Sequence, residues 1–155
     1  MNELSRIENF VELPPRFGTA GQPSEAQFEA IARAGFKVVI NLARHDSPRA
    51  LADERALVER CGLAYIHIPI NFKAPSVQAA LAFFDALQAT GEERVFVHCA
   101  LNYRVSALMS VYRVLYEGVA ADEARAEMLD VWTPDEVWEG YLRAVEQAQR
   151  ARISA

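Results

Sequence analysis

Three short apolar runs decide what this chain can fold into. Residues 36–42 (FKVVINL) are a nearly continuous apolar, β-branched stretch, residues 63–70 (LAYIHIPI) are a second, and residues 95–98 (VFVH) are a third. Over 36–42 the continuous rather than alternating hydrophobicity marks a strand covered on both faces, as parallel strands between helices are, and 63–70 and 95–98 read as further strands. Helical segments separate them. Ser24 with Gln27 three residues later forms a capping box for a helix to about residue 34, closed by Gly35. Residues 49–60 carry helical periodicity through Leu51, Ala52, Leu57 and Val58 and stop at Gly62. Ser76 caps a helix reaching residue 89, with Leu81, Phe84 and Leu87 on its apolar face and Gly91 after it. From Arg104 onward no strand pattern returns. Helices are expected over 104–117 and 121–131, and Thr133-Pro134-Asp135-Glu136 opens a last one with an N-cap, a proline at the first helical position and a reciprocal Glu. Residues 17–23 make a short extended stretch, and the first fifteen residues read as irregular. The expectation is a single α/β domain over residues 1–155, with a mostly parallel sheet of four to five strands flanked by helices.

Such sheets bind ligands beyond the carboxyl ends of their strands. Three loops qualify: 43–47, 71–75 and 99–104. The last contains a thiol, Cys99, directly after His98 and five positions before Arg104 at a helix start. A tight arc over Ala100, Leu101, Asn102, Tyr103 and Arg104 would turn its backbone amides inward as an anion nest, with the helix dipole behind them. A thiol at a helix N-terminus ionises more readily than a free one. Arg104 would grip two oxygens of the anion with its planar fork. His98 would point to the opposite face and order the loop by hydrogen bonding. Ser106, or Ser110 one turn later, would donate to the sulfur. Asn102 suits the positive φ that such an arc requires.

Composition narrows the partners. A 155-residue chain with a net charge of −5 and no Lys/Arg cluster argues against nucleic acid or an anionic membrane. No apolar run reaches the ~18 residues of a transmembrane helix. MNELSRIENF lacks a basic segment followed by an apolar one, so no signal peptide is expected. Cys61 and Cys99 are too few for a disulfide framework, which fits a reducing cytoplasm. Cys61, beside a helix-stopping glycine, reads as structural. His67 reads as a strand residue with a local partner, His45-Asp46 as a solvated turn or a pair near the site, and Trp132 and Trp138 as core or rim aromatics. No His/Cys/carboxylate spacing suits a metal, and no cofactor is expected.

His98-Cys99 with a short loop to Arg104, between an apolar strand and a long helix, resembles the Cys-dependent protein tyrosine and dual-specificity phosphatases. Gly21-Gln22-Pro23-Ser24, Val39-Ile40-Asn41-Leu42 and the three helices after the Cys are also similar. The chain looks most like a small bacterial group of candidate phosphatases of the dual-specificity type. The resemblance implies that Cys99 attacks phosphorus, that Arg104 and the amides of the loop bind the phosphoryl group, and that the substrate is a phosphorylated small molecule or phosphoprotein.

Two departures bear on activity. Cys99 and Arg104 enclose four residues where the phosphatase loop has five; a four-residue enclosure resembles rhodanese-type sulfurtransferases, which take a sulfane-sulfur donor. The loop that carries the family's general acid has Asn71 here, and no Asp or Glu lies between Glu59 and Asp85. Asp46 is the expected substitute, with Asp135 and Glu136 as minor candidates. General acids contribute about 10²–10⁴ in rate, so turnover is expected to be weak. The alternatives are persulfide chemistry on Cys99 and an inactive anion-binding or regulatory module.

Overall fold

The computed structural model describes residues 3–155. Its sheet has five strands in the order β1-β2-β5-β3-β4: β1 Val11–Leu13, β2 Phe17–Ala20, β3 Val38–Asn41, β4 Ala64–His67 and β5 Val95–His98. β2, β5, β3 and β4 run parallel to one another, and β1 runs antiparallel, against β2. β2, β3 and β5 are buried along their whole length, which is why their sequences do not alternate. β4, at the edge, is half-covered.

Successive strand residues face opposite sides of a sheet, and the core divides accordingly. Val95 and Val97 pack with Val38, Ile40, Phe84, Leu108 and Trp138, whereas Phe96 packs with Val39, Phe28, Ile31 and Val58. The first side belongs to helices α3 (Val77–Ala89), α4 (Tyr103–Glu117) and α6 (Glu136–Ser154), and α5 (Ala121–Leu129) packs on α4. The second belongs to α1 (Glu25–Arg33) and α2 (Glu54–Arg60). The Ser24 capping box closes as its spacing predicts, and Gly35 leaves α1 at φ +94°. Gly18 lets β2 pass the aromatic layer, since a Cβ there would lie 2.9 Å from the rings of Phe36 and Phe96.

Five expectations need correction. The irregular segment expected over 1–15 lies partly outside the described residues, and residues 3–15 are not uniformly irregular: a 3-10 turn at Glu3–Arg6 and strand β1 order them, and Leu4 and Ile7 are buried. The helix placed at 49–60 begins only at Glu54, because Asp53 takes a non-helical backbone and its side chain accepts from the Ala56 amide. The strand expected over 63–70 has ladder geometry only at Ala64–His67, and the buried face of α3 is Ala80, Phe83, Phe84 and Leu87, with Leu81 half-covered. Finally, α6 is capped by Asp135, whose side chain accepts from the Trp138 amide at 2.9 Å. Thr133 is exposed two residues upstream. The Asp135 cap also sets Trp138 into the core, where its indole N–H donates to the Phe72 carbonyl at 2.8 Å.

Replacing an N-cap acceptor by alanine costs about 1 kcal/mol. Asp135→Ala is therefore expected to lower Tm by about 2–4 °C, the usual response of a domain this size. Thr133→Ala should stay within about 0.5 kcal/mol of the parent, as uninvolved surface substitutions do. Paired thermal melts check both; the reverse order would restore the Thr133 cap.

Candidate active site

The three loops beyond the carboxyl ends of β3, β4 and β5 close on one cavity of about 580 Å³. The loop after β3 brings Arg44, Asp46, Ser47 and Pro48; the loop after β4 brings Asn71, Phe72 and Lys73. Cys99, Ala100 and Leu101 follow β5, and Tyr103 and Arg104 come from the first turn of α4. Cys99 is fully buried although it lines this space.

The shape of residues 99–104 follows from where its carbonyls go. The Cys99 carbonyl lies 3.2 Å from His98 Nδ1, the Ala100 carbonyl accepts from the Gln22 amide at 3.0 Å, and the Leu101 carbonyl accepts from Asn9 Nδ2 at 2.9 Å. In a trans peptide the N–H opposes the C=O. With the carbonyls of Cys99 and Ala100 held by the surrounding fold, the amides of Ala100 and Leu101 point the other way. Asn102 then turns the chain into α4 at φ +69°, as its residue type predicts. Its side chain caps nothing; it donates to the Asn9 carbonyl at 2.9 Å and to Thr19 Oγ1 at 3.2 Å. The amides of Tyr103, Arg104 and Val105 are first-turn donors without an acceptor inside the helix. The dipole of the 15-residue α4 adds its positive end at the same place.

Arg104 is the best-determined side chain of the site. It is only 8% exposed, and Nη1 donates to the Ile70 carbonyl at 2.8 Å. Its Nε is buried with no hydrogen-bond partner, and the guanidinium carbon sits 5.8 Å over the Phe72 ring. A buried cationic donor without an acceptor is costly unless a ligand supplies one.

Behind the loop, His98 Nε2 lies 2.6 Å from Glu54 Oε2, and Gln22 Nε2 donates to Glu54 Oε1 at 2.7 Å. The partners of the His98 ring, the Cys99 carbonyl and the Glu54 carboxylate, are both acceptors. Burial works to raise the Glu54 carboxyl, but hydrogen bonds from His98 and Gln22 and attraction to the imidazole outweigh it and hold it below its ordinary value. The loop after β3 is held in its turn: the Asn41 side chain accepts from the Ala43 amide at 2.8 Å, and His67 Nε2 reaches the Ala43 carbonyl at 2.6 Å.

The sequence expectations meet this geometry unevenly. Cys99, Arg104, Asp46, Asn71, Ala100, Leu101 and Tyr103 share the cavity; Asn102 shapes it, and His98 lies behind it as expected. Asp46 pairs with Arg44 at 3.3 Å, and Asn71 Oδ1 accepts from the Lys73 amide at 3.0 Å. Ser106 and Ser110 do not serve the sulfur. Each hydroxyl bonds back to the carbonyl three residues earlier, those of Tyr103 and Ala107, the local option always open to a helical serine. Asp135 and Glu136 line no part of the cavity. The Cys61 thiol is pushed up chiefly by burial and ends α2. Among the described residues, no group of three or more His, Cys, Asp or Glu could hold a metal ion, and no helix is long and apolar enough to cross a membrane. Glu54, Asn9, Thr19 and Phe72 went unseen in the sequence. The only available sign was a Glu of no evident use in a segment of helical periodicity.

A Cys-to-Arg loop at the carboxyl end of this sheet, backed by His98 and followed by three helices, is the frame of a Cys-dependent phosphatase. Residues 8–137 match the family model described as a DSP-PTPase phosphatase fused to NAD+ kinase, and the chain belongs to that phosphatase family. The beta-lactamase hydrolase-like protein of Xylella fastidiosa is 30% identical over 119 residues, covering 75% of this chain and 27% of that protein. The protein of the same name in Agrobacterium fabrum is 31% identical over 103 residues, covering 63% and 23%. The chain thus spans about a quarter of the length of these curated relatives. Among solved structures, a DUF442 candidate phosphatase of Shewanella putrefaciens CN-32 is 31% identical with a TM-score of 0.84, covering 94% of this chain and 93% of that one. Pseudomonas aeruginosa TpbA, solved with phosphotyrosine, shares the fold at 18% identity with a TM-score of 0.70, covering 90% of this chain and 89% of its own. These similarities favour phosphatase over sulfurtransferase chemistry.

The depressed Glu54 carboxyl gives stability that is complete above its ordinary pKa of 4.5 and is lost as pH falls through the lower folded value. Glu54→Gln removes this contribution. The Tm gap between the parent and Glu54→Gln should be widest at neutral pH and shrink below pH 4.5. A gap independent of pH would contradict an ionised Glu54 in the folded state.

Proposed function

We propose that residues 1–155 act as one cytoplasmic phosphatase domain that hydrolyses phosphate monoesters through a phosphocysteine on Cys99, without a metal ion. One observation carries this reading: the buried Arg104, fixed by the Ile70 carbonyl and with its Nε left unpartnered, lines the same cavity as Cys99. The two unpaired cysteines are compatible with a reducing compartment.

The chemistry follows in two displacements. The Cys99 thiolate attacks phosphorus as the ester P–O bond breaks, while Arg104 and the amides of residues 100–104 hold the equatorial oxygens. Asp46, on the opposite loop, gives its proton to the leaving oxygen. Water then attacks the phosphocysteine, its proton passes to Asp46, and the S–P bond breaks to release inorganic phosphate and the thiolate. Asn71 cannot give a proton; from its loop it is placed to orient the leaving group or the water by hydrogen bonding. The two loop departures make turnover slow, and aryl phosphates, whose leaving groups need little protonation, suffer least.

Turnover of p-nitrophenyl phosphate is the first test. It should vanish in Cys99→Ser and fall by about 10²–10³ in kcat/KM in Arg104→Ala, the usual loss of a main oxyanion donor. No turnover by the parent protein would overturn the proposal.

The role of Asp46 has its own measurement. Asp46→Asn should lower hydrolysis of an alkyl phosphate at least about tenfold more than that of p-nitrophenyl phosphate, since only the former needs the acid. Equal losses on both would remove Asp46 from that role.

A further inference from the structure

The cavity over Cys99 is too large and too basic for a phosphoryl group alone. A water molecule claims about 30 Å³ of liquid, so a phosphoryl group takes up roughly 100 Å³. Most of the 580 Å³ is therefore left for the rest of the substrate. Its walls there combine apolar surface, from Pro48, Phe72, Leu101 and Tyr103, with two cations besides Arg104: Arg44 and Lys73. In a chain of net charge −5, this space has three cations against the single carboxylate of Asp46.

The two outer cations differ in how they are held, Arg44 by a carboxylate as many of the chain's arginines are and Lys73 not. Arg33, Arg49, Arg55, Arg94, Arg113, Arg125, Arg150 and Arg152 each pair with a carboxylate. The Lys73 ammonium has no ion pair or hydrogen bond among the described residues, and its backbone is held by the turn onto Asn71 Oδ1 at 3.0 Å. Among the described residues, Arg44 pairs only with Asp46, at 3.3 Å.

We propose that this site selects small-molecule substrates with a second anionic group, phosphate or carboxylate, on an apolar body, and that Lys73 and Arg44 bind that second group. The inference rests on the phosphoryl group occupying the Cys99–Arg104 loop. Both cations line the same space as Cys99, so the second anion lies within one compact molecule rather than along a distant stretch of peptide. Phe72 and Tyr103 would flank the body between the two anions.

Calorimetric binding to the Cys99→Ser protein tests this without turnover. The probes are phenyl phosphate, the carboxyphenyl phosphates, the phenylene bisphosphates and a phosphotyrosine peptide with acidic flanks. At least one doubly anionic aryl compound should bind about tenfold or more tighter than phenyl phosphate, a gain expected of a charge-assisted contact. Lys73→Gln in the same background should cut that ratio several-fold, and added salt should reduce it. Equal affinities across the aryl series, or a ratio untouched by Lys73→Gln, would overturn the proposal. So would tighter binding of the acidic phosphopeptide than of every doubly anionic aryl compound. If the affinity ratio holds while the parent protein turns nothing over, the phosphatase reading fails and the second-anion site stands.

Discussion

The contact between the β2–α1 connection and the loop after Cys99 is the constraint on which the rest of the site depends. The Gln22 amide donates to the Ala100 carbonyl at 3.0 Å, and the Cys99 amide donates to the Ala20 carbonyl at 3.3 Å. This approach is possible only because residue 21 is glycine: a Cβ there would lie 2.5 Å from the Ala100 oxygen. Locked in this way, the Ala100 peptide presents its carbonyl to the scaffold and the following amide to the cavity. The left-handed turn at Asn102, the start of α4 and the placement of Arg104 all follow in order.

A second layer of polar groups, of which Thr19, Glu54, His98 and Asn102 are buried, keeps the arc from relaxing. On one side stand Glu54, His98 and Gln22; on the other, Asn9, Thr19 and Asn102. Each group bonds a partner from a different part of the chain, although Asn102 Oδ1 stays unpartnered. Removing one partner leaves another buried and unpaired, at a cost of about 1–3 kcal/mol. The layer therefore acts as a unit, and it explains why the N-terminal segment matters to a site ninety residues away. Asn9 itself adopts φ +53°, bringing both its side chain and its carbonyl to the loop.

The parts of this architecture that were legible in the sequence are the local ones. Residues 36–42 and 95–98 are apolar without alternation because their strands are covered on both faces. Ser24 and Ser76 cap because an acceptor two or three residues ahead of free amides needs nothing from elsewhere. Asn102 at positive φ belongs to the same class, and so does the convergence of the three loops, which is a property of parallel sheets. What stayed hidden depends on the fold. Nothing near Glu54 announces His98, 44 residues away. β1 is three residues long and pairs only with β2, too short to show a period. Thr133 and Asp135 are both good caps, and packing of Trp138 chose between them. Ser106 is close to the sulfur in sequence, but its hydroxyl bonds back to its own helix.

The central claim is that a phosphoryl group seated in this short loop passes through Cys99. Mass spectrometry of acid-quenched reactions with excess aryl phosphate reads that intermediate directly. The account expects the peptide containing Cys99 to gain the mass of one phosphoryl group during turnover and to lose it once substrate is exhausted. Turnover with an unmodified Cys99, or a phosphoryl group on any other residue, would contradict it.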